Sequence, residues 1–193
     1  IEASAGRTLS ELLVREAGVQ MSANGGLGMS SSLYLRGTSA GHALLLIDGV
    51  RYGSATLGQA NWDNIPLELI ERIEVLKGPA AALYGSDAIG GVVQVFTRQG
   101  QKGFHPYANV TLGTHSHRKL AAGVAGGNDE VSYALGASTL TEKGFSATNS
   151  NVPFGLHNKD RDGFDQDSVN GSLTWRMAPG WRLTVHALQA TGV

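Results

Sequence analysis

The stretch that decides the fold spans residues 65–98 and reads IPLELIERIEVLKGPAAALYGSDAIGGVVQVFTR. Alternation of apolar and charged side chains predicts a strand over Ile70–Leu76. Gly78-Pro79 interrupts that strand, and the next residues suffice for little more than one helical turn, which Gly85 ends. A Gly-Gly pair then opens a second strand over 92–97. The unit contains no constellation of catalytic residues, so its function has to come from its neighbours.

Composition excludes several function classes. The formal net charge of −1 gives no basic footprint, so no nucleic-acid partner is expected. The absence of cysteine excludes disulfides and thiolate metal sites. No apolar run approaches the length of a membrane helix, so any membrane contact requires a β-barrel. The 27 glycines, about twice the average share, favour β structure.

The segment before this unit predicts one short helix and several strands. Thr8 and Glu11 have the spacing of a capping box, and Gly18 ends the helix that follows. Asp48-Gly49 is a strong turn dipeptide between two β runs. The strands are predicted over Val19–Met21, Ser32–Arg36 and Ala43–Ile47.

Residues 37–41 match the G-x-S-x-G pattern of serine hydrolases, with Ser39 in the position of the nucleophile. That motif requires a helix after the serine, together with a later acid and histidine. Here a strand over Ala43–Ile47 follows instead, so a hairpin connection is the favoured interpretation. A serine hydrolase using Ser39 remains the alternative function outside the transport class.

Two loops rich in glycine and small polar residues, 24–31 and 53–61, are candidate binding sites. Small polar residues present N–H and hydroxyl groups while leaving space for a ligand. The spacing of a phosphate-binding P-loop is missing from both. Composition alone leaves open whether they bind a ligand or only connect strands.

Beyond Arg98 the pattern changes to longer strands. Residues 99–106 read as a connector, and five strands follow, over 107–113, 120–126, 131–140, 168–177 and from Trp181. Short turns at 127–130 and 178–180 alternate with a long loop at 142–167, as in bacterial outer-membrane barrels, whose long loops are external. Trp175 and Trp181 flank a short turn like an interfacial aromatic girdle. The same alternation also fits a soluble β-sandwich.

The motifs ERIEVLKGPAAALYGSDAIGGVVQVFT, Asp48-Gly49-Val50 and Leu35-Arg36-Gly37 together resemble the plug domain of TonB-dependent outer-membrane receptors. The resemblance covers roughly Thr8 to Arg98. Within that family, NGGLGMSSSLYLRGTSAGHALLLIDGVR and YGSDAIGGVV are most similar to the cobalamin transporters. It implies an α+β plug domain, a small mixed sheet with short helices, followed by antiparallel strands of a transmembrane β-barrel. The expected domains are a plug over 1–100, a connector over 101–106 and barrel strands over 107–193.

The resemblance assigns roles to particular residues. In the family, the loops that correspond to residues 24–31 and 53–61 form the external apex of the plug and contact the substrate. The resemblance also implies that Arg36 and Arg72 contact glutamates of the barrel wall and lock the plug in the barrel. Those glutamates are expected beyond Val193. The alternative is that both are ordinary surface arginines. The implied substrate-binding residues are Asn24, Gly25, Gly26, Gly28, Ser30, Ser31, Ser54, Thr56, Gln59 and Asn61.

Two metal sites are considered in the external loops. Residues 159–167, KDRDGFDQD, supply alternating carboxylates around a glycine, which suit calcium, although the terminal Glu of a calcium loop is missing. The resemblance implies calcium near this place, but Ser146 stands where another acid is expected, and a solvated acidic loop is the alternative. His115 and His117 are a weaker candidate for haem or a transition metal. No other cofactor is required. The candidate calcium ligands are Asp160, Asp162, Asp165 and Asp167.

The resemblance implies a transporter of the Gram-negative outer membrane and no catalysis. It would capture a scarce large nutrient, first a corrinoid and second a ferric siderophore or haem, with TonB and outer-membrane lipid as partners. The energy-coupling segment is not recognised before Thr8, and the chain is expected to hold about five strands of a barrel of about 22. Alone, these strands would leave an unpaired edge that pairs between chains.

Overall fold

The computed structural model describes residues 8–54, 58–79, 81–146 and 161–193. They form two units: the predicted plug, residues 8–98, and a five-stranded sheet, called the wall below. The helices of the described chain are α1 (Leu9–Leu13) and α2 (Ala81–Tyr84), with short 3-10 turns between strands. In the part of the chain that the structure describes, neither helix is long and apolar enough to cross a membrane.

The plug contains a two-stranded hairpin and a four-stranded mixed sheet, which agrees with the small mixed sheet that the resemblance implies. The strands are β1 (Val19–Ala23), β2 (Ser31–Leu35), β3 (Ala43–Ile47), β4 (Val50–Tyr52), β5 (Ile70–Lys77) and β6 (Gly91–Thr97). In the hairpin β1 pairs with β2; in the sheet the order is β4-β3-β6-β5, with β3 and β6 parallel and the other pairs antiparallel.

Local signals set the ends of these elements. The capping box is confirmed: Thr8 Oγ1 accepts a hydrogen bond from Glu11 N at 3.2 Å, and Thr8 N donates to Glu11 Oε2 at 3.3 Å. Asp48 and Gly49 have φ values of 48° and 83°, the left-handed pair that a two-residue hairpin turn requires. Both predictions hold because a few neighbouring residues decide them.

The larger of two apolar clusters in the described plug forms its main core. It packs α1 and the hairpin against one face of the mixed sheet, and the indole of Trp62 is fully buried within it. Its largest fully buried members besides Trp62 are Leu9, Leu33, Leu35, Leu45, Ile70, Val93 and Val95.

The prediction of a hairpin connection around Ser39 is wrong. The strands on either side, β2 and β3, belong to different sheets and do not pair. Ser39 precedes a 3-10 turn, Ala40–His42, which leads directly into β3. The expectation that no α-helix follows the serine is confirmed, so this turn is not a nucleophile elbow.

The wall is an antiparallel sheet with its strands in chain order, which confirms the predicted arrangement. The first wall strand, β7 (Gly103–Leu112), starts within the predicted connector and includes Pro106. This strand lies at the edge of the described sheet, where proline is tolerated. Pairing with β9 extends β10 back to Phe164, which shortens the predicted long loop to 143–163. The strands are β7 (Gly103–Leu112), β8 (Arg118–Gly127), β9 (Val131–Glu142), β10 (Phe164–Ala178) and β11 (Trp181–Gly192).

The wall turns its polar face towards the plug and its apolar face outwards. In β10 the inward side chains from Gln166 to Thr174 are 3–8% exposed and polar. Beyond Asp167 the outward side chains of β10 are apolar, with Val169 59% and Leu173 49% exposed. A soluble sandwich buries its apolar face, whereas a membrane barrel presents it to lipid. The wall therefore has the polarity of a membrane barrel.

Candidate functional site

The first apical loop, residues 24–30, meets the wall at the end that carries the long connection. Hydrogen bonds from Asn24 N to Ser30 O (3.2 Å) and from Met29 N to Gly26 O (3.3 Å) close the loop on itself. A Cβ built on Gly26 would lie 3.6 Å from Cε1 of Phe145, whose residue follows β9. The predicted binding loop therefore lies beside the start of the connection that follows β9.

The second apical loop, residues 53–61, is tied to the first through β2. Ser54 N donates to Gln59 O at 3.0 Å, and Gly58 N donates to Ser54 O at 3.0 Å. Ser32 Oγ donates to Gln59 Oε1 at 3.3 Å, which links this loop to the residue after Ser31. Thr56, also predicted to bind substrate, lies outside the described residues.

The predicted binding residues differ in accessibility. Asn24, Gly28 and Ser30 are exposed at the first loop. Ser31 is buried at the start of β2, and its hydroxyl has no hydrogen-bond partner among the described residues. Asn61 is partly buried, with its Oδ1 likewise unpaired in the described part of the chain. Asn24, Gly28 and Ser30 are therefore accessible from solvent, whereas Ser31 and Asn61 are not fully exposed.

The two loops border different cavities. A cavity of about 340 Å³ between plug and wall includes Gly25 and Gly26. A second, of about 270 Å³ within the plug, includes Ser54 and Gln59. Tyr52 also lines this second cavity, and burial raises the pKa of its phenol above the usual 10, so it stays neutral at physiological pH. Among the described residues, the two loops therefore line separate cavities.

The plug–wall cavity is lined by both polar and apolar side chains, and some of its polar atoms have no hydrogen-bond partner among the described residues. His117 Nδ1 lies 2.7 Å from Glu142 Oε2, while its Nε2 has no partner among the described residues. Gln166 is 5% exposed, and its Nε2 is also unpaired in that set. Both side chains line the cavity, so we expect ordered water to fill these hydrogen bonds.

Among the described residues, two contacts between ionisable side chains join plug and wall. Lys119 Nζ of β8 lies 2.7 Å from Glu68 Oε1, and the two side chains are 7% and 11% exposed. His186 Nδ1 of β11 lies 3.3 Å from Asp48 Oδ2. Asp48 is fixed in turn because Thr97 donates to it from its N–H (2.9 Å) and its hydroxyl (2.6 Å).

Arg98 forms a third contact where the plug ends. Its Nε donates to the carbonyl of Glu68 at 2.9 Å, and its guanidinium lies 4.7 Å from the ring centroid of Tyr107. Its carbonyl accepts from Ser172 Oγ at 3.3 Å. Sequence reasoning missed these contacts; the available signal was the inward position of Lys119 and Ser172 in alternating strands.

With this arrangement established, the comparisons with known proteins become decisive. A family model described as the TonB-dependent receptor plug domain matches residues 1–92. A vitamin B12 transporter from Vibrio cholerae is 37% identical over 97% of this chain and 30% of its own length. Another from Photobacterium profundum is 40% identical over 100% of this chain and 31% of its own length. The chain belongs to the TonB-dependent receptors. It spans about a third of the length of these relatives.

Solved structures of this receptor family have the same fold. A mutant of the ferric enterobactin receptor from Pseudomonas aeruginosa matches with a TM-score of 0.77 and 24% identity, over 97% of this chain and 31% of that one. The siderophore receptor PirA from Acinetobacter baumannii matches with a TM-score of 0.73 and 25% identity, over 95% of this chain and 29% of that one. These matches cover both the plug and the wall.

The two arginines of the predicted receptor lock contact other plug residues. Arg72 Nε donates to Glu74 Oε1 at 2.8 Å, and its guanidinium lies 3.7 Å from the ring centroid of Phe96. Arg36 N donates to Gly18 O at 2.7 Å. Because the expected barrel partners lie beyond Val193, the lock stays a prediction.

The candidate metal ligands are dispersed in the described part of the receptor chain. Asp165 and Asp167 lie on the exposed outward face of β10, Asp162 lies in the connection before it, and Asp160 is outside the described residues. The described part of the chain contains no group of three or more His, Asp or Glu that could hold a metal ion. The four-residue calcium site is therefore still a prediction.

The two histidines of the other candidate site diverge. His117 points to Glu142, while the ring of His115 lies 5.5 Å from that of Phe145. This geometry gives no support to a shared haem or transition-metal site.

Proposed function

We propose that this chain is part of a Gram-negative outer-membrane receptor that binds a corrinoid at the apical plug loops and imports it with TonB-coupled energy. The observation that carries the proposal is the identity of 37% and 40% to vitamin B12 transporters, over nearly the whole chain. Those relatives are about three times longer, so substrate and energy coupling are inferred from them.

The polarity of the wall supports the proposed location. Its outward face carries apolar side chains on each strand, and its inward face is polar against the plug. Exposed apolar area of this extent is costly in water and stable against lipid tails. Outer-membrane lipid is therefore the partner proposed for the outward face.

The contacts between plug and wall support a transport role. Among the described residues they include ion-pair and hydrogen-bond contacts beside a cavity lined by polar and apolar groups, while the main apolar core lies mostly within the plug. A polar, hydrated interface exchanges protein contacts for water contacts at small net cost. Force applied through TonB could therefore separate plug from wall while the plug core stays closed. We propose binding and transport, without a catalytic step.

The direct test is equilibrium binding to the full-length receptor. Cyanocobalamin should bind at submicromolar concentration, and ferric enterobactin, added as the competing ligand class, should not displace it. Calcium should strengthen the binding if the predicted acidic site is present. Absence of detectable cyanocobalamin binding at micromolar ligand, with ferric siderophore bound instead, would overturn the corrinoid assignment and favour the siderophore alternative.

The hydrolase alternative is tested on the same protein. A fluorophosphonate probe should leave Ser39 unlabelled, because the 3-10 turn that follows it does not form a nucleophile elbow. Labelling that disappears in Ser39→Ala would contradict the transport proposal.

A further inference from the structure

The ring of Phe164 is held between two glycines, one from the plug and one from the wall. A Cβ built on Gly28 of the first apical loop would lie 2.7 Å from Cε2 of Phe164 and 3.0 Å from its Cγ. A Cβ built on Gly192 of β11 would lie 2.8 Å from Cε2 and 2.9 Å from Cζ. The ring thus fills the space that two side chains would otherwise occupy, and Phe164 is buried.

The position of Phe164 in the chain connects the apical loop to the external face. It is the first residue of β10, directly after the long connection, and the alternation of β10 turns its ring inwards. At the other end of that connection, Cε1 of Phe145 would lie 3.6 Å from a Cβ built on Gly26 of the same loop. Both ends of the connection therefore lie close to the loop at residues without side chains.

The loop's own hydrogen bonds do not fix where it stands relative to the wall. The bonds from Asn24 N to Ser30 O and from Met29 N to Gly26 O lie within the loop. Gly28 has a φ of +82°, a conformation open to glycine at little cost. Of the two described aromatic rings beside the loop, that of Phe164 is buried, whereas Phe145 is about half exposed. Phe164 is therefore the better candidate for holding the loop in place.

We infer that Phe164 is a positioning residue, which sets the conformation of the first apical loop for its ligand by seating its ring on Gly28. The ligand part of this inference rests on the proposed function. The loop presents Asn24 and Ser30 to solvent, so a loop displaced from the ring would present them at a different position. The ring itself need not touch the ligand.

The test uses the full-length receptor in detergent and two measurements. In Phe164→Ala, hydrogen exchange of residues 24–30 without ligand should rise about tenfold, and cyanocobalamin should bind about tenfold more weakly. Phe104→Ala removes an exposed ring from the outward face of β7 and should change neither. Phe164→Leu should recover part of both effects. Unchanged exchange in Phe164→Ala, or changed exchange with unchanged binding, would overturn the inference.

A second pair of variants tests the contact itself. Gly28→Ala combines a left-handed backbone with a clash against the ring, whereas Gly49→Ala has the same backbone strain, φ +83°, with no atom within 4 Å. Gly28→Ala should raise exchange of residues 24–30 well beyond the effect of Gly49→Ala. In the Phe164→Ala background that excess should vanish, and its persistence would overturn the contact.

The two measurements also separate this inference from the proposed function. Exchange needs no ligand, so it reports on the position of the loop even if the corrinoid assignment fails. A wild-type receptor that binds no corrinoid, while exchange responds as described, would refute the substrate and leave the positioning role supported.

Discussion

Lys119 of the wall and Glu68 of the plug form an ion pair of 2.7 Å at the interface, with side chains only 7% and 11% exposed. The carbonyl of Glu68 also accepts a hydrogen bond from Arg98, so one plug residue engages both the wall and the end of the plug. Removing either side chain would leave the other charge buried without a partner, which is costly. The pair is therefore a testable contact between the two units.

Removing one charge of this pair should loosen the plug. In the full-length receptor, Lys119→Met leaves the Glu68 carboxylate buried without a partner, at a cost of about 3–5 kcal/mol. Limited proteolysis of the plug and denaturant unfolding in detergent should both show the loss. The double variant Glu68→Gln, Lys119→Met should recover most of it.

A matched control is the exposed pair of Lys102 and Asp129, whose side chains are 73% and 83% exposed. Lys102→Met should cost less than about 1 kcal/mol because water already screens that pair. Equal effects of the two lysine variants would contradict the role of the buried pair.

The outward face of the wall should reject charge according to depth. Leu173→Arg, in the middle of β10, should lower the free energy of unfolding by about 2–4 kcal/mol. Phe104→Lys, near the short turns, should lower it by about 0–1 kcal/mol. Urea unfolding of the full-length receptor in lipid vesicles measures both. Similar small costs at the two positions would indicate that this face does not meet the bilayer core.

The arginine lock predicts a functional phenotype for residues that contact only plug atoms in the described chain. If Arg36 and Arg72 hold the plug against distant barrel glutamates, Arg36→Ala and Arg72→Ala should raise ion conductance in planar bilayers. Arg51→Ala, which removes an exposed ion pair with Asp87 inside the plug, serves as the control. Conductance equal to that of Arg51→Ala would show that the two arginines are ordinary surface residues.

The calcium prediction can be tested by titration. Oxygen ligands within one loop bind calcium, so Asp160→Asn with Asp162→Asn should weaken calcium binding at least tenfold by calorimetry. Asp129→Asn, at the opposite end of the wall, should leave it unchanged. Wild-type receptor without a calcium signal would establish the acidic segment as a solvated loop.

Much of the plug follows from neighbouring residues. The bounds of β3 at Ala43–Ile47 agree with the prediction. An apolar run that ends at the turn dipeptide Asp48-Gly49 indicates a strand from its neighbouring residues alone. The error at Ser39 has the opposite origin. A turn between two strands reads the same in a hairpin and in a crossing between sheets, so the choice depends on partners elsewhere in the chain.

The start of β10 shows a similar limit. Residues 164–167, FDQD, read as the end of an acidic loop, yet they continue the ladder with β9. Their acids point outwards and Phe164 points inwards, so the local polarity conceals a strand. Pairing with β9 makes these four residues part of the strand, which their composition does not predict.

The sequence by itself predicted most of the strands and turns, because capping, alternation and turn chemistry act over a few residues. Its plug motifs indicated the family. It also showed that β10 has one polar and one apolar face. Only the tertiary structure decided that the polar face meets the plug, that Lys119 reaches Glu68, and that Phe164 rests on Gly28. Such contacts join residues that are distant in the chain, and they exist only after the plug docks against the wall.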